Sequence, residues 1–186
     1  MKGIYGVFLA VWLSLVSCVD YTPKPRGYFR IEPPQATYLK LPVSDLPYSF
    51  SVSDKVVVEL PEEGHKGWIN LNYTDYGVTL YCSYMKIQKG NLTELTDETL
   101  KLVARTGQEA KATAYENPEA NVYGMFFDLQ GKTASPIQFY LTDSLSHFFR
   151  GALYYHAVPN VDSIAPMTNY LRKDLIELVE SFTWNN

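Results

Sequence analysis

The sequence predicts an α+β domain, in which a mainly antiparallel sheet carries two packed helices, preceded by an extended arm. Short runs of alternating apolar and polar residues recur between turn signals, which is typical of strands joined as hairpins. Two longer segments have apolar residues at helical spacing instead. The chain has 186 residues, 46% of them hydrophobic, and a formal net charge of −4. This composition is that of a globular protein and argues against nucleic acid as a partner.

The first 17 residues indicate a lipoprotein signal peptide. Lys2 precedes an apolar run that ends in Leu15-Val16-Ser17-Cys18. The run is too short to span a membrane, which takes about 20 helical residues, and a charged start with a short apolar run is typical of a signal peptide. The last four residues resemble the bacterial lipobox, which implies that Cys18 carries the lipid anchor, with palmitate among its acyl chains. The alternative is an ordinary secretory signal that contains a cysteine.

Residues 18–48 are predicted to form the lipidated N-terminus and a proline-rich arm. Prolines favour extended backbone, and this stretch holds Pro23, Pro25, Pro33, Pro34, Pro42 and Pro47. Large side chains on an extended arm can bind a partner or pack on the chain's own domain. We predict that the stretch PKPRGYFRI binds a partner, through the forked guanidinium donors of its arginines and the apolar area of its aromatic side chains. The candidate residues are Arg26, Tyr28, Phe29 and Arg30.

Residues 49–186 are predicted to form one domain with the element order βββ-α-βββ-α. Alternation predicts strands over residues 49–59, 68–72, 78–87, 121–128, 137–141 and 147–155. The first helix is predicted to begin near Thr96, with an apolar stripe that extends to Ala110, and the second runs from about Asp162 to Phe182. Because short turns join consecutive strands, the sheet is expected to be mainly antiparallel with helices packed on it.

The residue types that commonly serve in catalysis or metal binding form no recognisable catalytic or metal site in this sequence. His147 and His156 lie nine positions apart, so a regular strand places them on opposite faces, and neither has zinc-ligand spacing. Ser144 or Ser146 beside His147 would suit a hydrolase, but serine after aspartate is ordinary turn chemistry. Cys82 alternates with apolar residues and is predicted to be a small buried hydrophobe. We therefore predict no enzyme activity, no catalytic residue, no metal and no cofactor.

Aromatic residues are abundant, with 15 tyrosines and nine phenylalanines. Packing of the sheet against its helices would use them, and so would a partner surface, because aromatic side chains dominate cores and interfaces alike. The candidates for such a surface are Phe148, Phe149, Tyr154 and Tyr155.

Several stretches resemble known families. The element order and the C-terminal ESFTW are similar to a Mog1/PsbP-type sandwich. A second set of motifs consists of the lipobox, PKPRGYFRI at 23–31, ASPIQFYLTDS at 134–144, and FFRGALYY at 148–155 leading into PNVDSIAP at 159–166. Together these motifs resemble the gliding motility-associated lipoprotein GldD family of the Bacteroidetes. Asp-Ser-Leu at Ser144 and Asp-Ser-Ile at Ser163 resemble the short O-glycosylation signal of this bacterial group; the alternatives are a turn serine and a helix-capping serine.

The family resemblance implies a non-catalytic assembly or scaffolding lipoprotein of gliding motility and the linked type IX secretion apparatus. It implies partners among the envelope proteins of that machinery, and a position on the cell membrane or outer membrane, lipid-anchored and facing the periplasm. The alternative is an envelope binding module for a glycan or lipid, which a deep apolar pocket with convergent polar groups would favour.

Overall fold

A computed structural model describes residues 35–61, 65–105, 109–131, 133–157 and 161–185 of the chain. Within this part, none of the helices combines the length and the apolar character needed to cross a membrane. The helices and strands are, in order, β1 Tyr38–Lys40, β2 Tyr48–Ser49, β3 Ser51–Ser53, β4 Val57–Glu59, β5 Ile69–Tyr73, β6 Val78–Lys86, α1 Leu92–Arg105, β7 Ala110–Asn117, β8 Val122–Leu129, β9 Ile137–Thr142, β10 His147–Tyr155, α2 Val161–Glu180 and β11 Thr183–Trp184.

Seven strands form one antiparallel sheet in the order β4-β5-β6-β10-β9-β8-β7. Four-residue connections join β5 to β6 and β9 to β10, and seven residues join β8 to β9, at the places where turn signals are predicted. The first of them closes with Gly77, whose φ of 62° is a conformation that side chains disfavour. β10 is central, and its Phe149 lies opposite Tyr84 of β6 and Leu141 of β9. The predicted class, a mainly antiparallel sheet with two helices, is confirmed.

The main core fills the sheet face that α2 covers. Successive side chains of a strand point to opposite faces, so alternate residues of β6, β9 and β10 enter this core. Their partners on and after α2 are Leu171, Leu175, Leu178 and Phe182. A smaller apolar cluster of Val103, Phe127 and Leu129 lies between α1 and the sheet. Cys82 is buried in the main core, as its alternation predicts, and burial raises the pKa of its thiol.

Four aromatic rings form the centre of the main core. Tyr48 packs edge-on against Phe149, with ring centroids 4.7 Å apart, and stacks on Phe50 and Phe182. Phe149 and Phe182 are themselves 5.1 Å apart. These rings come from the segment before β3, from the central strand β10 and from the short connection between α2 and β11. We call them the aromatic cluster, and it joins three distant parts of the chain.

The end of the predicted arm is packed on the folded body. β1 pairs with β3 in the register Tyr38↔Ser53, and β2 pairs with β11. The predicted strand 49–59 is broken into β2, β3 and β4, with a turn at Asp54 and Lys55 between the last two. From residue 35 onward, therefore, the chain contributes strands as well as proline-rich connections.

β7 is a strand that the sequence analysis did not include. The predicted helical stripe extended to Ala110, but α1 ends at Arg105 and Ala110 begins β7. This strand is almost wholly exposed and pairs on one side only, with β8. An exposed edge strand lacks the buried alternating face on which recognition from sequence depends, which explains why pattern reasoning missed it.

A buried carboxylate attaches β1 to α2. Asp174 Oδ1 accepts a hydrogen bond of 2.8 Å from the Tyr38 hydroxyl. Burial raises the pKa of the Asp174 carboxyl above its ordinary value, an effect larger than the opposing one of hydrogen bonds from Tyr38, Tyr73 and Ser53. The polar contact fixes where the N-terminal segment joins the body.

We predict that Phe182→Ala lowers the free energy of unfolding by about 3–5 kcal/mol, because it leaves a cavity among three other rings. Phe182 is 1% exposed. Chemical denaturation followed by tryptophan fluorescence measures the change. Leu145→Ala is the control: Leu145 is 76% exposed, and its loss should change stability by less than about 0.5 kcal/mol. Equal effects of the two substitutions would contradict the assignment of the core.

Candidate functional site

Most of the residues predicted for binding lie outside the described part of the chain. These are Cys18, Arg26, Tyr28, Phe29 and Arg30. Ser163 falls within the first turn of α2, where only the course of the backbone is described. Ser144 is the one predicted modification residue whose surroundings can be given.

Ser144 lies in the turn between β9 and β10, and the turn is organised by Asp143. The Asp143 Oδ1 atom accepts hydrogen bonds from the backbone N–H groups of Leu145, Ser146 and His147 at 2.8–3.0 Å. Burial alone would raise the pKa of Asp143, but these three donors outweigh it and hold the pKa below its ordinary value. Ser144 is exposed, with a φ of 67°, and donates its N–H to Thr142 Oγ1. The Asp-Ser pair is thus a turn element, as turn chemistry predicts.

The ring of His147 is held by aromatic neighbours. Its Nδ1 atom forms a hydrogen bond of 2.8 Å with the Tyr84 hydroxyl, and the ring stacks on Trp184 with centroids 5.0 Å apart. Burial is the main cause that raises the pKa of Tyr84. Among the described residues, no hydrogen bond links this ring to Ser144 or Ser146, which a serine hydrolase would require. Tyr84 therefore positions the His147 ring, and neither Ser144 nor Ser146 is bonded to it as a nucleophile would be.

The two histidines occupy opposite faces of the sheet, as their spacing predicts. His147 bonds Tyr84 on the face of the main core, whereas His156 Nε2 lies 2.8 Å from Thr79 Oγ1 on the other face. In the part of the chain that the structure describes, no group of three His, Cys, Asp or Glu side chains could hold a metal ion.

A groove of about 1030 Å³ lies beside Tyr84 and His147. Residues 40–47 line one side of it, and the rest of its lining includes Lys66, Gly67, Lys86 and Asn185. Its three lysines are Lys40 at the end of β1, Lys66 before β5 and Lys86 at the end of β6. We call this the basic groove.

The basic groove keeps its shape through bonds to its backbone. The Asn185 side chain donates to the carbonyls of Leu46 and Tyr48, each at 2.9 Å, and its N–H donates to the Pro47 carbonyl. Tyr48 in turn donates its hydroxyl to the Gly67 carbonyl at 2.6 Å. The two walls of the groove are thus fixed by Asn185, which follows β11, and by Tyr48 of the aromatic cluster.

The aromatic partner surface proposed for β10 is mostly core, which corrects that prediction. Phe148 and Phe149 are fully buried, and Tyr155 is half-buried with its hydroxyl bonded to Thr168. Only Tyr154 remains on the surface, 40% exposed, where its ring packs edge-on against Tyr81. Packing of the sheet against helices accounts for most of the aromatic residues of the described part.

The basic groove has no signature in the sequence. Its lysines are separated by 20 or more positions and belong to different elements. Pairing of β5 with β6 brings Lys66 and Lys86 to the same end of that strand pair, and Lys40 joins the lining from the end of β1. No local motif marks such a site, so the register of the strands would have been needed to find it.

Comparison with solved structures supports the fold class. The chain is similar to the solution structure of the cyanobacterial PsbP protein (CyanoP) from Synechocystis sp. PCC 6803, with a TM-score of 0.53 and 12% sequence identity, over 87% of this chain and 99% of that one. The fold is accordingly a PsbP-like sandwich, as the element order predicts. A search of curated proteins gave no match.

The family is defined by sequence. The model of the family described as gliding motility lipoprotein GldD matches residues 18–184. The chain belongs to this family, which places it among membrane-associated lipoproteins with a role in gliding motility. The match begins at Cys18, the residue at which the lipobox resemblance predicts the mature chain to start.

We predict that Tyr84→Phe lowers the free energy of unfolding by about 1 kcal/mol, because it removes the hydrogen bond to His147 Nδ1 from a largely buried position. Thermal or urea denaturation measures the loss. Tyr81→Phe is the matched control on the same strand, because the Tyr81 side chain is 47% exposed and forms no hydrogen bond to another described residue. If the two variants are equally stable, the Tyr84–His147 bond does not contribute to stability.

Proposed function

We propose that the chain is a non-catalytic assembly or scaffolding lipoprotein of the gliding motility machinery and of the linked type IX secretion apparatus. Membership of the gliding motility lipoprotein family is the observation that carries this proposal. The filled aromatic core and the commitment of His147 to Tyr84 are in keeping with a role in binding. Envelope proteins of the machinery are the partners that such a role requires.

The anchor is the first part of the proposal. A lipidated Cys18 would hold the folded body at the cell membrane or the outer membrane, facing the periplasm. Each buried acyl CH₂ group contributes about 0.8 kcal/mol, and one chain alone binds only marginally, whereas several chains on one cysteine hold stably. Residues 18–34 would then lie between the anchor and the first described residues, so that the folded body reaches partners beyond the lipid surface.

The arm is the second part. Arg26 and Arg30 would supply guanidinium groups, and Tyr28 and Phe29 apolar area, to a partner of the machinery. Arginine and aromatic residues dominate the energetics of protein interfaces, and prolines limit the freedom that the arm loses on binding. β1 supports this proposal, because its attachment through Asp174 gives the arm a fixed point of departure from the body.

A binding module for an envelope glycan or lipid is the second candidate function. The basic groove is the observation that favours it, since its volume is in the range of ligand sites. The groove is, however, open, and its lining mixes three lysines with apolar residues such as Leu41 and Val43, whereas a lipid site is expected to be deep and apolar throughout. We therefore place assembly first and ligand binding second.

We predict that Arg26→Ala and Phe29→Ala each impair colony spreading and type IX secretion without changing the midpoint of thermal unfolding. An interface anchor contributes about 2 kcal/mol or more to binding, so its loss weakens the complex without affecting the fold. Spreading on agar, secreted protein levels and thermal unfolding are the three measurements.

Exposed residues of the body provide matched controls: Lys101→Ala removes a cation and Leu145→Ala an apolar side chain. Both should spread normally. A marked fall in melting temperature for the arm variants would assign the stretch a structural role, and normal spreading with normal secretion would remove it from the interface.

A further inference from the structure

The basic groove carries an excess of positive charge. Lys40, Lys66 and Lys86 line it, and none has a carboxylate partner among the described residues. The acidic residue of the lining is Asp45, which accepts a hydrogen bond from Ser44. This cluster contrasts with the formal net charge of −4 of the whole chain. We propose that the basic groove binds an acidic peptide segment of a partner protein.

Backbone donors favour a peptide. The segment between β1 and β2 is held at its ends: Leu41 donates its N–H to Phe50, and Asn185 binds the Leu46 carbonyl. The backbone N–H groups of residues 43–46 have no acceptor among the described residues. Donors without an acceptor in the described part of the chain suit the carbonyl and carboxylate oxygens of an extended acidic chain, because this segment is already held at its ends and little ordering is needed on binding.

Tyr84 and His147 add polar atoms to the lining of the groove. His147 uses Nδ1 for Tyr84, and its Nε2 has no partner in the described part of the chain. Stacking on Trp184 fixes the plane of the ring. A held imidazole beside three cations provides a directional contact in addition to charge, which is what a specific docking site requires.

An open groove favours a peptide over a small ligand. Pockets for small molecules bury most of the ligand's surface, whereas this groove of about 1030 Å³ is open to solvent. A compact lipid head group would fill only part of it. An extended segment of several residues would reach the lysines of all three elements together.

This inference rests on the proposed function, since it supplies the assembly lipoprotein with a second docking surface besides the arm. The test is binding of fluorescein-labelled poly-L-glutamate to the purified full-length lipoprotein, followed by fluorescence anisotropy. The test variant is Lys40→Gln/Lys66→Gln/Lys86→Gln. The matched control is Lys101→Gln/Lys111→Gln/Lys173→Gln, which removes the same charge from exposed lysines elsewhere.

We expect the unsubstituted chain to bind the probe, the groove variant to bind about tenfold more weakly, and the control variant to match the unsubstituted chain. Binding should weaken as sodium chloride rises, because salt screens exposed charges. Lack of binding to the unsubstituted chain, or equal loss in both variants, overturns the proposal.

A second probe tests the lipid alternative. Soluble dihexanoyl phosphatidylglycerol should bind the groove variant and the control variant alike. If the groove variant loses this lipid but keeps poly-L-glutamate, the groove is a head-group site and the proposal is wrong. These outcomes concern the purified protein only, so they are distinguishable from failure of the proposed cellular role, which spreading and secretion report.

Discussion

The packing of Tyr48 against Phe149 and Phe182 is the constraint on which the rest of the structure depends. Tyr48 is fully buried and is the first residue of β2. Its ring contacts the central strand and the end of α2, while its hydroxyl fixes the loop at Gly67. One side chain thereby determines where the N-terminal segment crosses the sheet.

The same residue connects the core to the surface. Both walls of the basic groove, residues 40–47 and the loop at Gly67, are held at Tyr48 or next to it. The pairing of β2 with β11 adds Asn185 to the groove, because Asn185 directly follows β11. The groove is therefore a consequence of how the arm enters the fold, and its shape should be as stable as the core beneath it.

Sequence reasoning identified the elements whose burial leaves a pattern. β6, β9 and β10 have alternating inward residues, and α2 has Leu171, Leu175 and Leu178 at helical spacing, so all four were predicted. β7 was missed because an exposed edge has no buried face, and β1 because three residues among prolines carry too little periodicity.

The candidate site was less accessible to prediction. The turn role of Ser144 followed from the Asp-Ser pair, since a carboxylate that accepts neighbouring N–H groups is a local device. The Tyr84–His147 bond and the convergence of Lys40 with Lys86 depend on strand register. Residues that a sheet brings together from distant positions have no signature in a single sequence. A shared fold does not supply the function either, because unrelated activities occur on one architecture.

If the protein acts in motility as a lipid-held body that binds its partners, replacement of the chromosomal gene by a Cys18→Ser form should abolish its function. We expect the variant to leave the membrane fraction, to keep its melting temperature and no longer to support colony spreading. Spreading at the normal rate by cells whose protein is recovered entirely in the soluble fraction would contradict this expectation.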